Sequence, residues 1–480
     1  MPENCAQLFM SSFYAGQEPD MTCIDQLCGL ALSQEEPVAK QAVCALYGTI
    51  VEGLCDDFSG NGVAVCNRVL LRIAEFLYES GKTGACATDL GIGVSGWQQA
   101  FLKRHDQLIK AGRRPLRCPP ERILVLSRVT IGADVMISSI VIRRLRQAFP
   151  EAEIVLVGPA HMEALLLFDN KVRNRLFPYE RNCSLLERFA ATCRLAELIQ
   201  EECSEFAPSS VLLVDPDSRL SQLGLIPLLS VERTRYFCSR MEMEDNDNAS
   251  LVEITNGWLD QWLGEGQRAC YPAIRLNPEA RELARDFMQS VGQNGKAVLL
   301  VNLGVGRNDN KRIPPPFEEE LLLALLDNPE LVVVLDSGYS PAGLARAKNL
   351  MQSAISRGHG VEFSAEEDLP LCKPAATSRL IGVRCSIGMI GALIAEADCF
   401  FGYDSCCQHL ASAADVSGLI VFSGYRLERF QARWRPRNRQ ESISVLSCRH
   451  EGEMDLQQCH NLVEKVARRL RSCCLDNGEA

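Results

Sequence analysis

Three short segments carry the residue types and spacings that suit chemistry on a hydroxyl and a phosphate. The first is Gly132-Ala133-Asp134, expected in a loop between an apolar strand and a helix. A carboxylate there can take the proton of an acceptor hydroxyl, and it can equally serve as a helix N-cap. The second runs from Gly304 through Arg307, Lys311 and Arg312, again between a buried strand and a helix. Its glycines let backbone approach a ligand, and Lys311, Arg307 or Arg312 can neutralise charge growing on a departing diphosphate; an ordinary polar loop with solvated cations is the plainer alternative. The third, Gly402-Tyr403-Asp404-Ser405-Cys406-Cys407-Gln408-His409, lies where a strand turns into a helix. Free amides in a first helical turn favour phosphate, Ser405 adds a hydroxyl, and His409 falls one turn in; a simply capped helix with a packed histidine is the alternative.

The elements that position these segments follow from hydrophobic patterning. Apolar runs Ile123–Leu126, Ile154–Val157, Val211–Val214, Ala297–Val301, Leu331–Leu335, Cys399–Phe401 and Leu419–Phe422 are short enough for strands, and they are separated by helical stretches such as Val135–Phe149, Phe317–Leu326 and Ile387–Ala397. Strands alternating with helices imply parallel sheets covered on both faces, with ligands beyond the strands' carboxyl ends. The α/β rhythm starts near residue 120 and restarts near 297, which predicts two Rossmann-like domains facing across a cleft, 120–270 and 271–480. Residues 1–119 read as helical, with a capping-box pattern at Ser33 and Glu36 and one-face spacing at Val69, Leu70, Ile73 and Leu77. This region is open to a partner-binding or oligomerising role as well as to packing. A linker, AGRRPLRCPPER, follows it.

Composition narrows the function. The 480 residues carry a net charge of -11, are 47% hydrophobic and 23% charged, and contain no apolar run long enough to cross a bilayer. An acidic chain is a poor nucleic-acid binder, and the absence of a basic leader predicts a cytoplasmic protein. The arginine-rich stretch Arg426–Arg439 suits an anionic ligand or a membrane's inner surface as well as it suits a solvated loop. The 22 cysteines are expected as small buried hydrophobes rather than a disulfide framework. Cys448, His450, Cys459 and His460 match no common zinc spacing. Neither a dinucleotide fingerprint nor a phosphate-binding P-loop is present.

Two of these segments, with their surroundings, resemble the heptosyltransferase-like family, glycosyltransferase family 9. ILVLSRVTIGADVMISSIVIRRLRQAFPEAEIVLVG, from Ile123 to Gly158, is similar to the family's opening strand and Gly-Asp-Val element. SIGMIGALIAEADCFFGYDSCCQHLASAADVSGLIVFSG, from Ser386 to Gly424, is similar to its Asp-Ser-Gly-x-x-His motif region. The resemblance spans roughly 120–440 and implies a GT-B architecture preceded by a small all-α region. It further implies a metal-independent, cofactor-free, inverting glycosyltransferase using a nucleotide-sugar donor such as ADP-heptose and a cell-envelope glycan or glycolipid acceptor. By position, Asp134 falls on the catalytic base, Lys311 in the loop whose basic residue meets the donor phosphate, Asp404 and Ser405 on the donor sugar and diphosphate, and His409 on the motif histidine. Ala133 is inserted before Asp134, and Cys406 replaces the motif glycine. These departures open a second reading, a non-catalytic relative that binds a nucleotide or glycan and recruits a partner. A third reading takes Asp215-Pro216-Asp217 as the metal-binding DxD of a metal-dependent transferase.

Overall fold

The computed structural model describes residues 2–116, 118–180, 183–241, 248–264, 269–306, 308–448 and 454–475. They form two compact units, one holding most of residues 1–269 and the other residues 270–480 together with 130–140 and 163–168.

In the first unit, strands β1 (Arg122–Leu126), β2 (Glu153–Gly158), β3 (Val172–Leu176), β4 (Val211–Asp215) and β5 (Thr234–Tyr236) form one sheet in the order β3-β2-β1-β4-β5. All neighbours run parallel, with Ile123 opposite both Ile154 and Leu212. The central strands are buried along nearly their whole length, which is why they read as unbroken apolar runs. The chain before β1 is helical, and the helices Gly60–Glu79 and Trp97–Ala111 carry an apolar face into the same core as Leu124, Val155 and Leu213. Polar ties reinforce that packing: Arg104 donates to Leu229 O at 2.8 Å, and the Arg188 guanidinium lies 4.3 Å from the Tyr47 ring centre. The capping box expected at Ser33 and Glu36 is displaced: Ser33 Oγ instead accepts from Glu35 N, and Glu35 occupies the cap position of the Glu36–Cys44 helix.

The cysteines hold one surprise. Cys86 and Cys193 are disulfide-bonded across 107 residues, joining the short Gly84–Asp89 helix to the Leu185–Cys203 helix. The expectation of thiols alone is corrected at that pair, whose Cα atoms stand 6.1 Å apart. Most of the other cysteines are wholly or partly buried, and Cys44 and Cys118 are the exposed ones.

In the second unit, β6 (Ala297–Asn302), β7 (Leu331–Asp336), β8 (Gly360–Ala365), β9 (Ser378–Arg384), β10 (Cys399–Tyr403), β11 (Gly418–Ser423) and β12 (Ile443–Cys448) form a parallel sheet in the order β12-β11-β10-β6-β7-β9-β8. The helices Phe317–Leu326 and Leu456–Leu475 cover one face, where Phe317, Leu321, Leu325, Val463, Val466 and Leu470 join Leu299, Val333 and Phe401 in one apolar cluster. The α/β class with two parallel sheets and a helical N-terminal region is the architecture the sequence implied. No helix among the described residues is long and apolar enough to cross a membrane.

Candidate functional site

The strands β6 and β10 are neighbours at the centre of the second sheet, with Asn302 opposite Gly402. Both end in polar residues, so the loops carrying Lys311 and Asp404 leave the sheet side by side at its carboxyl edge. The loop after β6 is anchored from within. Arg312 donates to Leu303 O at 2.6 Å and to Glu318 at 3.1 Å, so this cation fastens the loop. A single turn, Asp309–Lys311, then presents Lys311. Gly424, at φ 64°, presses on this turn so closely that a Cβ there would lie 1.8 Å from Asn310 O. Arg307 lies outside the described residues.

Lys311 Nζ forms an ion pair with Asp404 Oδ2 and sits 5.2 Å from the Phe430 ring centre. The Asp404 side chain is only 8% exposed, and its other oxygen accepts from Gln408 Nε2 at 2.7 Å. Gln408 Nε2 also stands 3.3 Å from His409 Nε2, within reach of a neutral ring nitrogen that accepts. Burial lowers the His409 pKa to about 4, with the Lys311 cation pushing the same way against Asp404, so the ring is neutral at physiological pH. His409 Nδ1 and Gln408 Oε1 are both buried without a hydrogen-bond partner among the described residues.

Ser405 precedes the Cys406–Ala413 helix in an extended conformation, and its hydroxyl does not cap the helix. It donates instead to Asn302 Oδ1 at 3.3 Å. The first turn of that helix is thus left without a side-chain cap, as an anion site requires. Cys406 occupies the position after Ser405, and its thiol pKa is lowered by a hydrogen bond from the Cys407 thiol.

The first segment differs from its expected form. Gly132, Ala133 and Asp134 are helical, not in a loop: the helix opens at Ile131, with Thr130 in the cap position, and widens into a π turn over Asp134–Ser138 before continuing through Ser139–Ala148. Asp134 therefore does not cap the helix. Its side chain is fully buried and accepts from Ser138 Oγ at 2.7 Å. The turn that carries it belongs to the second unit and packs on the Cys406 helix: a Cβ at Gly132 would come within 2.8 Å of His409 Cδ2 and 3.3 Å of Cys406 Cα. Lys311 and Gln408 thus meet on the Asp404 carboxylate, Gln408 links it to His409, and the Asp134 turn lies against the helix that bears His409.

The carboxylates of Asp215 and Asp217 are engaged elsewhere, in the first unit. Asp217 is buried and pairs with Arg240 at 2.9 Å while accepting from Tyr236 at 2.6 Å and Ser239 at 2.8 Å. Despite desolvation by burial, the Arg240 and Arg128 cations lower its pKa to about 2. Asp215 accepts from Ser221 at 2.6 Å and from Ser218 N at 2.7 Å, and burial raises its pKa to about 6. Both brace loops of the first sheet. Among the described residues no group of His, Cys, Asp and Glu side chains is arranged to hold a metal ion, and His450 lies outside them. In the arginine-rich stretch, Arg433 is fully buried while Arg426, Arg435 and Arg439 are exposed.

Three site residues escaped the sequence reading: Asn302, Asp336 and Gln408. The first two were legible as polar residues ending the apolar runs AVLLVN and LVVVLD at the carboxyl edge of a parallel sheet. Gln408 stood inside a motif whose neighbours drew the attention.

No family profile matches the sequence, and no curated protein matches it. Solved structures do. The family 9 glycosyl transferase of Veillonella parvula aligns over 76% of this chain and 100% of its own, at TM-score 0.54 and 15% identity. The ADP-heptose lps heptosyltransferase II of E. coli aligns over 74% and 99%, at TM-score 0.48 and 16% identity. The E. coli heptosyltransferase WaaC aligns over 72% and 99%, at 0.44 and 16%. The first likeness concerns the fold alone: the chain shares the GT-B α/β architecture of that family 9 glycosyl transferase.

Proposed function

We propose that the chain is a glycosyltransferase that moves a sugar from a nucleotide-diphosphate donor to a hydroxyl of a glycan or glycolipid, with inversion and without a metal ion. The acceptor oxygen attacks the anomeric carbon, its proton passes to Asp134, and the nucleoside diphosphate leaves with the bonding electron pair. Lys311 stabilises that leaving group. The side chain, paired with Asp404, keeps 22% exposure through which to meet an anion. The uncapped first turn of the Cys406 helix adds backbone N–H groups. The observation that carries this reading is the Lys311–Asp404 ion pair beside the uncapped first turn of the Cys406 helix at the carboxyl edge of the second sheet.

Full burial of Asp134 supports a second reading, in which the site binds a nucleotide or glycan without turnover and the N-terminal helices recruit a partner. One experiment separates the two. Thermal stabilisation is measured with nucleoside diphosphates and nucleotide sugars, ADP-heptose first, in EDTA and in Mg²⁺, and each stabilising sugar is then followed for nucleoside diphosphate release. Stabilisation in EDTA with release supports transfer, and stabilisation without release under any acceptor supports the binder. A shift that needs Mg²⁺ contradicts the metal-independent mechanism.

A further inference from the structure

Behind Lys311 and Asp404 lies a bonded group that the transfer scheme does not use. Asn302 ends β6, is 5% exposed, and has both ends of its amide engaged. Its Nδ2 donates to Asp336 Oδ2 at 2.6 Å, where β7 ends. Its Oδ1 accepts from Gly304 N at 3.2 Å and from Ser405 Oγ at 3.3 Å. Asp336 Oδ1 in turn accepts from Gly338 N at 2.9 Å. Two side chains thus tie together three loops, those following β6, β7 and β10.

The orientation of the amide is dictated. A carboxylate accepts and an N–H donates, so Asp336 fixes which end of Asn302 faces it, and the carbonyl is left facing Gly304 and Ser405. The charge is placed with equal economy. Asp336 orders the group from the neighbouring strand, while the residue bonded to Ser405 is neutral. A carboxylate could accept the same two hydrogen bonds as the Asn302 carbonyl, but it would set a negative charge beside the position assigned to the diphosphate. Partial burial raises the Asp336 pKa against its hydrogen bonds from Gly338 N and Asn302.

We infer that Asn302 and Asp336 are positioning residues for the anion site: Asp336 orients the Asn302 amide, and the neutral amide holds Ser405 and the Gly304 loop open to a diphosphate. This rests on the diphosphate reading of Lys311 and Asp404. A purely structural role would make anion binding follow fold stability, and exchanging the two residues separates these quantities. In Asn302→Asp/Asp336→Asn, the amide at 336 donates to the carboxylate at 302, which still accepts from Gly304 and Ser405. Every bond is kept, and the charge moves to the ligand side.

The test measures the affinity of the full chain for inorganic diphosphate by calorimetry, alongside the thermal midpoint, for wild type, Asn302→Asp, Asp336→Asn and the exchange. Asn302→Asp, with two carboxylates opposed, is expected to lose both midpoint and affinity. Asp336→Asn presents a donor where one of the two carboxylate oxygens accepted from Asn302 Nδ2 or Gly338 N, so the Asn302 amide loses its fixed orientation and diphosphate affinity is expected to fall by at least about threefold; the exchange regains the midpoint but stays at least about tenfold weaker in diphosphate affinity, because a charge now stands beside the anion. An exchange that binds diphosphate as tightly as wild type overturns the inference while leaving the diphosphate reading intact. Wild type that fails to bind diphosphate overturns both.

Discussion

The packing of the Asp134 turn on the Cys406 helix can be tested at Gly132. Replacing a helical glycine with alanine ordinarily stabilises by about 1 kcal/mol, through reduced backbone entropy. Here the added methyl would lie 2.8 Å from His409 Cδ2 and 3.3 Å from Cys406 Cα. The imidazole is 3% exposed and cannot swing away, and the second neighbour is backbone. Overpacking of this kind costs about 1–3 kcal/mol, so Gly132→Ala is expected to lose about 1 kcal/mol net in urea unfolding. Removing the ring should return the helix term: in a His409→Ala background the same substitution is expected to be neutral or to stabilise, a coupling of about 1–2 kcal/mol between the two positions. Since the turn and helix carry the proposed base and diphosphate site, the single variant should also weaken diphosphate binding. Simple stabilisation by Gly132→Ala in the wild-type background would show that the turn does not rest on His409, and the geometry of the site would have to be redrawn.

Further outcomes follow from the same contacts. His409 titrates at about 4 in the fold against 6.5 when free, so its contribution is full above pH 6.5 and is lost as pH falls from 6.5 through 4. The gap is worth about 3 kcal/mol, so the wild-type stability advantage over His409→Asn should shrink by that order between pH 7 and 4 in urea titrations; a constant difference would contradict a buried neutral ring. Lys311→Met strips the cation from a nearly buried carboxylate and is expected to cost about 2–3 kcal/mol, less than a fully buried pair because Lys311 keeps 22% exposure; Asp404→Asn added to it should restore most of the loss. Reduction of Cys86–Cys193, which closes a span of 107 residues, is expected to lower stability by about 2–4 kcal/mol, and Cys193→Ser should make the midpoint insensitive to reductant.

The sheets were legible where strands are buried on both faces. Ile123–Leu126, Ala297–Val301 and Leu331–Leu335 could be nothing polar, and each was recovered to within a residue or two. The strands that escaped lie toward the sheets' margins or are very short: β3 reads VRNRL, β5 has three residues, and the outermost β8 and β12 mix polar with apolar positions. β9 sits one place in from the edge, and its arginines at both ends hid an apolar centre. Gly132 misled for a different reason. Glycine ordinarily signals a loop, yet here it sits inside a helix because the His409 ring leaves no room for a Cβ, a tertiary cause that no local pattern displays. Arg312 could not be told from Lys311 by type or spacing; only the fold shows one fastened to Leu303 and Glu318 and the other paired with Asp404. The bond between Asn302 and Asp336 spans 34 residues and depends on β6 and β7 being neighbours, an adjacency that the sequence suggests but does not specify.

The most direct test of the central claim is nucleoside diphosphate release from a panel of nucleotide sugars, assayed in EDTA with glycan and glycolipid acceptors, for wild type, Lys311→Met and Asp134→Asn. Release by wild type with inverted configuration at the anomeric carbon is predicted. Loss of charge stabilisation in Lys311→Met and of the base in Asp134→Asn should each slow it by about 100-fold or more. Undiminished release by Asp134→Asn would contradict the assignment of the base. No release from any donor that binds would contradict transfer itself and leave a nucleotide-binding protein with a glycosyltransferase fold.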